Sequence, residues 1–227
     1  MPEYVILLIA VAVALPVSYK LLLRRRLPRD LAVLARQRKL VWRFGDAHDL
    51  PTRYCQLYLF NLGHDRRAGC LLSGPLPAGQ ITAFQYSYKL GPSQRWAGLR
   101  WTAAVLETST TRPGTFMGTA LELIRAGPFA RYRSIRPDPI ESPPSRSSLC
   151  CELPAALQSW LERGLGRFLA DQDRAVVWEL RGRLVAGYLP GSVDAARLDR
   201  LIDGVVQLHE LTTCHCQTSL PTAPQQQ

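Results

Sequence analysis

The chain has 227 residues, 28 Lys and Arg against 18 Asp and Glu, a net charge of +10 and 47% apolar residues, an ordinary balance for a globular protein carrying one membrane anchor. The positive charge is concentrated: from Lys20 to Arg43 nine basic residues stand against the single acid Asp30, a balance of +8, which leaves only +2 for the rest of the chain. A general basic face for nucleic acid is thereby excluded, and no nucleic-acid partner is expected.

Between Tyr4 and Val17 there is no charge, and Ser18, Tyr19 and Lys20 lead into Leu21, Leu22 and Leu23. An apolar helix of about 20 residues crosses a bilayer core of roughly 30 Å, so residues 1–23 are read as a transmembrane anchor. Lys20 can run its stem along acyl chains to the headgroups, and Pro16 is tolerated in a membrane span. A cleaved signal peptide would begin with basic residues and end in a small-residue cleavage site; Met1–Glu3 has no Lys or Arg, and Leu21–Arg26 is a poor site. Residues 24–43 form a basic juxtamembrane linker in which Arg24, Arg25, Arg26 and Arg29 meet the membrane surface and its anionic headgroups. The positive flank predicts a single-pass protein of the inner membrane, N-terminus outside and body in the cytoplasm. After Pro28, the apolar residues Leu31, Val33, Leu34 and Leu40 fit an amphipathic helix lying on the membrane surface, or a spacer.

Residues 44–212 are expected to form one cytoplasmic α+β domain, a mostly antiparallel sheet with two helices of the C-terminal half packed on it. After a loop at Gly45–Arg53, alternation predicts a strand over Tyr54–Leu62, a turn at Gly63–Arg66 and a return strand over Ala68–Ser73, with Cys55 and Cys70 buried in these facing strands. Ile81–Leu90 places Thr82, Phe84, Tyr86 and Tyr88 on one face, read as a core stripe against a C-terminal helix, and Leu99–Thr108 is its partner. A further strand is expected at Phe129–Ile135 and an exposed loop at Pro137–Ser148. Pro154–Leu165 predicts a helix, Ala175–Leu180 and Leu184–Leu189 a hairpin around Arg181-Gly182-Arg183, and Ser192 the cap of a closing helix with the stripe Leu198, Leu201, Ile202, Val205 and Leu208. Residues 213–227 read as a disordered tail.

The order of short anchor, basic linker, the strand Phe84-Gln85-Tyr86-Ser87-Tyr88, the Phe129–Ile135 segment, the Trp178 hairpin and a closing amphipathic helix resembles uncharacterised single-pass bacterial membrane proteins, a family of domains of unknown function. The resemblance covers most of residues 1–211. It implies an architecture and no activity.

Phosphate-loop, dinucleotide, zinc-helix and nucleophile-elbow patterns are absent; Gly164-Leu165-Gly166 lacks a third glycine at the needed spacing. Cys214-His215-Cys216, with His209 before it, is the one metal-like cluster, since thiolate and imidazole suit zinc or copper, yet adventitious binding in a tail explains it more simply. Asp46, His48 and Asp49 fit a polar loop better than an acid–base pair, and Arg131 and Arg133 a solvated strand face better than an anion site. No catalytic residue and no cofactor is assigned. The sequence reads as a non-enzymatic interaction or scaffold module with the membrane and an unidentified protein as partners; the alternative is a membrane-associated enzyme of unfamiliar class.

Overall fold

The computed structural model describes residues 27–47, 49–89, 99–118 and 148–213. The anchor, Arg24, Arg25, Arg26, the strand expected at 129–135, the expected loop as far as residue 147 and the tail cluster Cys214-His215-Cys216 lie outside the described residues. Among the described residues no helix is long and apolar enough to cross a membrane.

The domain is α+β. Strands β1 (Val41–Asp46), β2 (His64–Leu76), β3 (Gly79–Lys89), β4 (Leu99–Gly118), β5 (Ser148–Cys151) and β6 (Val177–Pro190) form one sheet, every neighbouring pair antiparallel. The 20-residue β4 is the spine. β6 follows one of its edges from Trp101 to Met117, while β3 and β5 lie end to end along the other. Helix α1 covers residues 27–38, α2 is Leu50–Arg53, and the C-terminal half contributes α3 (Pro154–Glu162), α4 (Leu165–Asp171) and α5 (Ala195–Thr212).

Both faces of the sheet are buried, because alternate residues of its strands feed two separate apolar clusters. One face takes Ile81, Ala83, Leu106, Trp178 and Val185 under α1, α3, α4 and α5. The stripe Leu198, Leu201, Ile202, Val205 and Leu208 is buried there, as the closing helix predicts. Trp178 lies between Gly187 of β6 and Gly204 of α5, where a Cβ on either glycine would run into the indole, so small residues at both positions let the helix close on the sheet. The helix starts two residues later than Ser192 suggests: Asp194 is the N-cap and accepts from the Arg197 N–H at 3.1 Å.

The other face carries Phe84, Tyr86, Tyr88, Ala103, Val105, Phe116 and Tyr188, and its cover is the segment 50–62 and no C-terminal helix. Tyr54–Leu62 is therefore no strand. Pro51 starts the short α2, the chain turns, and a 3-10 turn follows at Tyr58–Asn61. Leu57, Tyr58, Leu59 and Phe60 are all buried, a run that alternation cannot serve, and the ring of Phe60 meets Tyr86 edge to face at 4.8 Å. Asn61 donates its amide to the Cys55 and Leu57 carbonyls and ties the loop off. Cys55 is consequently exposed, Cys70 half-buried, and Cys150 and Cys151 buried, all four as free thiols.

Two further departures have the same origin in long-range pairing. β6 runs unbroken through Arg181-Gly182-Arg183, because β4 pairs with it on both sides of that triplet; the register shifts around Arg112, and Gly182 sits at φ 55°, an irregularity that glycine accommodates. The expected hairpin is thus one strand. Residues 27–43, expected as a linker, build α1 and β1: Leu31, Leu34, Ala35 and Leu40 belong to the core, so the apolar face of this helix is spent on protein and not on a membrane surface. α1 ends in a left-handed Lys39 (φ 56°), with the Leu40 and Lys39 N–H groups donating back to Ala35 and Arg36. Arg38 forks onto Asp199 and Asp203 of α5 at 2.6–2.8 Å, so one charge of the basic run is committed to the fold.

Candidate functional site

Three places gather chemistry from distant segments. The first is Glu179 of β6, which lies on the aromatic face and is 0% exposed. The Tyr58 N–H donates to both of its carboxylate oxygens at 3.0 Å and the Tyr188 hydroxyl to Oε2 at 2.9 Å. Burial raises the carboxyl pKa to about 7 despite these donors, and the same burial, with Glu179 beside it, pushes the Tyr188 phenol far up. The sequence signal was a lone acid inside the apolar run Val176–Leu180.

The second is Arg112 of β4, 4% exposed. All its guanidinium donors are used by neutral acceptors: Thr212 Oγ1, Thr108 Oγ1, the Thr110 carbonyl and Thr213 Oγ1 at 2.9 Å, and His209 Nδ1 at 2.5 Å. Desolvation lowers its pKa to about 10, which leaves it charged at neutral pH. The cation sits at the C-terminal end of α5, where the helix dipole and unpaired carbonyls favour it. His209 is drawn into this clasp, its pKa depressed by burial and then by Arg112, and its Nδ1 accepts from Arg112. No signal in the polar run Thr108–Thr115 marked Arg112 out.

The third is an apolar groove between α1 and the sheet edge. Leu27, Pro28 and Leu31 of α1, Trp42 and Phe44 of β1 and Cys70 of β2 line a cavity of about 340 Å³. Phe44 is 77% exposed, and its ring centroid stands 6.4 Å from that of Trp42. The Trp42 Nε1 is shielded from solvent and has no acceptor in the protein. Cys70 reaches the groove from an irregular step in β2, where the register with β3 shifts and its φ is 53°. A shallower, charged concavity of about 220 Å³ lies at the far end of β2 and β3, lined in part by Asp65, Arg67, Lys89 and Arg100; Asp65 accepts from Lys89 at 2.6 Å, and that bond holds its carboxyl below the ordinary range.

Of the residues singled out in the sequence, Arg29 is exposed on α1 and Asp49 is exposed at the start of α2; His48, Arg131 and Arg133 lie outside the described residues. Among the described residues no group of three or more His, Cys, Asp or Glu could hold a metal ion. The aromatic stripe Phe84, Tyr86 and Tyr88 is closed in the core, so it offers no groove. The groove escaped sequence reading because its six residues come from three elements, one of them taken for linker.

No family model and no curated protein matches the sequence. In structure the chain is similar to the crystal structure of the mycobacterial trehalose monomycolate transport factor A, TtfA, with a TM-score of 0.58 and 14% identity over 82% of this chain and 94% of that one. At that identity the likeness speaks for the fold alone.

Proposed function

We propose that this chain is a single-pass inner-membrane protein whose cytoplasmic domain is a non-catalytic accessory in the transport of an acyl-chain lipid of the cell envelope. The observation that carries the non-catalytic reading is the enclosure of the two ionisable groups that the fold draws inward: Glu179 at 0% and Arg112 at 4% exposure have their hydrogen-bonding capacity taken up by the protein, so neither is placed to touch a substrate. A general acid or base must stand within hydrogen-bond reach of the reacting atoms. The apolar stretch Tyr4–Leu23 and the basic flank after it supply the tether and its orientation. The shared fold with a protein described as a trehalose monomycolate transport factor supports the lipid-transport part of the reading.

Two experiments test it. In spheroplasts a membrane-impermeant maleimide is expected to leave the exposed Cys55 unlabelled until the membrane is broken; labelling of Cys55 from outside overturns the cytoplasmic placement. In the native cells, depletion of the chain is expected to hold newly made, isotope-labelled envelope lipid in the cell-retained fraction at the expense of the surface-extractable one. An unchanged distribution sinks the transport role.

A further inference from the structure

The charged concavity at the far end of β2 and β3 has an order that surface exposure alone would not give it. Pairing sets Arg67 of β2 opposite Ser87 of β3, and Ser87 opposite Arg100 of β4, so the three residues stand in one row across three strands. Residues paired directly across a sheet point to the same face. The next row, Ala68, Tyr86 and Trp101, belongs to the aromatic face, which puts Arg67, Ser87 and Arg100 on the other one. Further along the strands that face carries Ala83 and Ala104 into the core beneath the helices. Here the helical cover has ended, and both arginines are exposed beside a half-buried Ser87.

The cations that line the concavity differ in how far they are neutralised. Between the His64–Lys89 and Arg67–Ser87 pairs β2 has one residue more than β3, a bulge at which Asp65 takes a left-handed backbone (φ 53°). The Asp65 carboxylate meets the Lys89 ammonium at 2.6 Å and Arg67 only at 3.4 Å. Arg100 has no acid partner among the described residues. Lys89 is thus matched, while two guanidinium groups flank Ser87 with little counter-charge. Strands lie about 4.8 Å apart, so the two arginine backbones are roughly 10 Å apart. The screening length in physiological salt is about 8 Å, which keeps their mutual repulsion small, whereas an anion seated over Ser87 would be near both.

The donors select the anion. A carboxylate has two oxygens, which one guanidinium fork fills; a phosphate group has at least three, enough for two forks and a hydroxyl together. Arg67, Lys89 and Arg100 against Asp65 leave an excess of two positive charges, the match for a phosphate group of about −2. The concavity holds about 220 Å³, less than the roughly 300 Å³ at which pockets for whole small molecules begin, so it suits the charged group and leaves the rest of a larger molecule outside.

We propose that the row Arg67, Ser87 and Arg100 is a binding site for a phosphate group, either the free ion or the phosphomonoester head of a lipid, with Lys89 held at its rim by Asp65. The proposal draws on neither the anchor nor the transport reading and stands or falls apart from them. The full chain in non-ionic detergent is melted near pH 8, where a phosphate group carries about two charges, in increasing inorganic phosphate and in sodium chloride of matched ionic strength. Phosphate is expected to raise the melting temperature above that in chloride, as a ligand of the folded state does. Arg67→Gln and Arg100→Gln should each move the onset of that rise to about tenfold higher concentration or more. Ser87→Asp sets a carboxylate between the arginines; it should melt no lower than the natural chain in chloride and lose the response to phosphate. Arg167→Gln, on the exposed side of α4, should leave the response unchanged. Soluble dihexanoyl phosphatidate separates the two sources. An onset at least about tenfold below that of inorganic phosphate, lost in the same variants, assigns the lipid head, and any higher onset assigns the free ion. Phosphate also stabilises proteins by exclusion from their surface, so a rise that persists undiminished in Arg67→Gln, Arg100→Gln and Ser87→Asp overturns the site, as does no rise beyond chloride with either probe.

Discussion

Melting of the full chain in detergent is expected to show higher stability at pH 4.5 than at pH 8 in the component due to Glu179, and Glu179→Gln is expected to erase that component. The sign follows from the direction of the shift. The carboxyl is at 4.5 in the unfolded chain and about 7 in the fold, so the folded state holds the proton more tightly. Its contribution is complete below pH 4.5 and disappears as the pH rises through 7. A shift of that size corresponds to about 3 kcal/mol, or about 6–12 °C in melting temperature for a domain of this length. His209 works in the opposite sense, because its depressed pKa costs stability as the pH falls below the ordinary imidazole range. Subtracting the Glu179→Gln profile from that of the natural chain isolates the carboxyl from it. At pH 8 the variant should be the more stable protein, since glutamine retains an acceptor for the Tyr58 N–H and the Tyr188 hydroxyl without a buried charge. A difference between the two profiles that does not vary with pH would show that this carboxylate is solvated and that the aromatic face is open.

Replacing Arg112 by alanine is expected to cost about 2–4 kcal/mol, because it leaves the Thr108 and Thr212 hydroxyls with fewer partners and opens a cavity under the end of α5. The loss should be local in its first effect. Amide hydrogen exchange in 208–213 is expected to accelerate before that of β4 or β6, since the guanidinium is what fastens Thr212, Thr213 and His209 to the sheet. Arg112→Lys retains the charge at the helix C-terminus and loses the fork, so it should fall between the two. An Arg112→Ala chain that melts within 1 °C of the natural one, with unchanged exchange in 208–213, would show that the clasp adds nothing to the core stripe.

Local sequence determined those parts of the fold that depend on one element at a time. The stripe of α5 and the apolar positions of α3 each state which side is buried, because a period of 3.6 residues encodes a face. The same argument limits the reading to elements with one dry side. Where both faces are buried, as in Val177–Leu180, or where a segment is a plug packed on all sides, as in Leu57–Phe60, periodicity has no contrast to report. Tyr54–Leu62 therefore passed for a strand, and Gly182 for a turn.

What only the tertiary structure decided is which surfaces meet. Arg38 looks like any other member of the basic run until α5 brings Asp199 and Asp203 to it, and Leu31, Leu34 and Ala35 look like a membrane-facing stripe until the sheet covers them. Glu179 is an ordinary charged residue in the chain; enclosure under the 3-10 turn 121 residues before it raises its carboxyl pKa to about 7, although the Tyr58 N–H and the Tyr188 hydroxyl pull it the other way. Leu27 and Cys70, likewise, become one apolar groove only when β1 pairs with β2 and α1 packs across the sheet edge, a long-range pairing that no local period encodes.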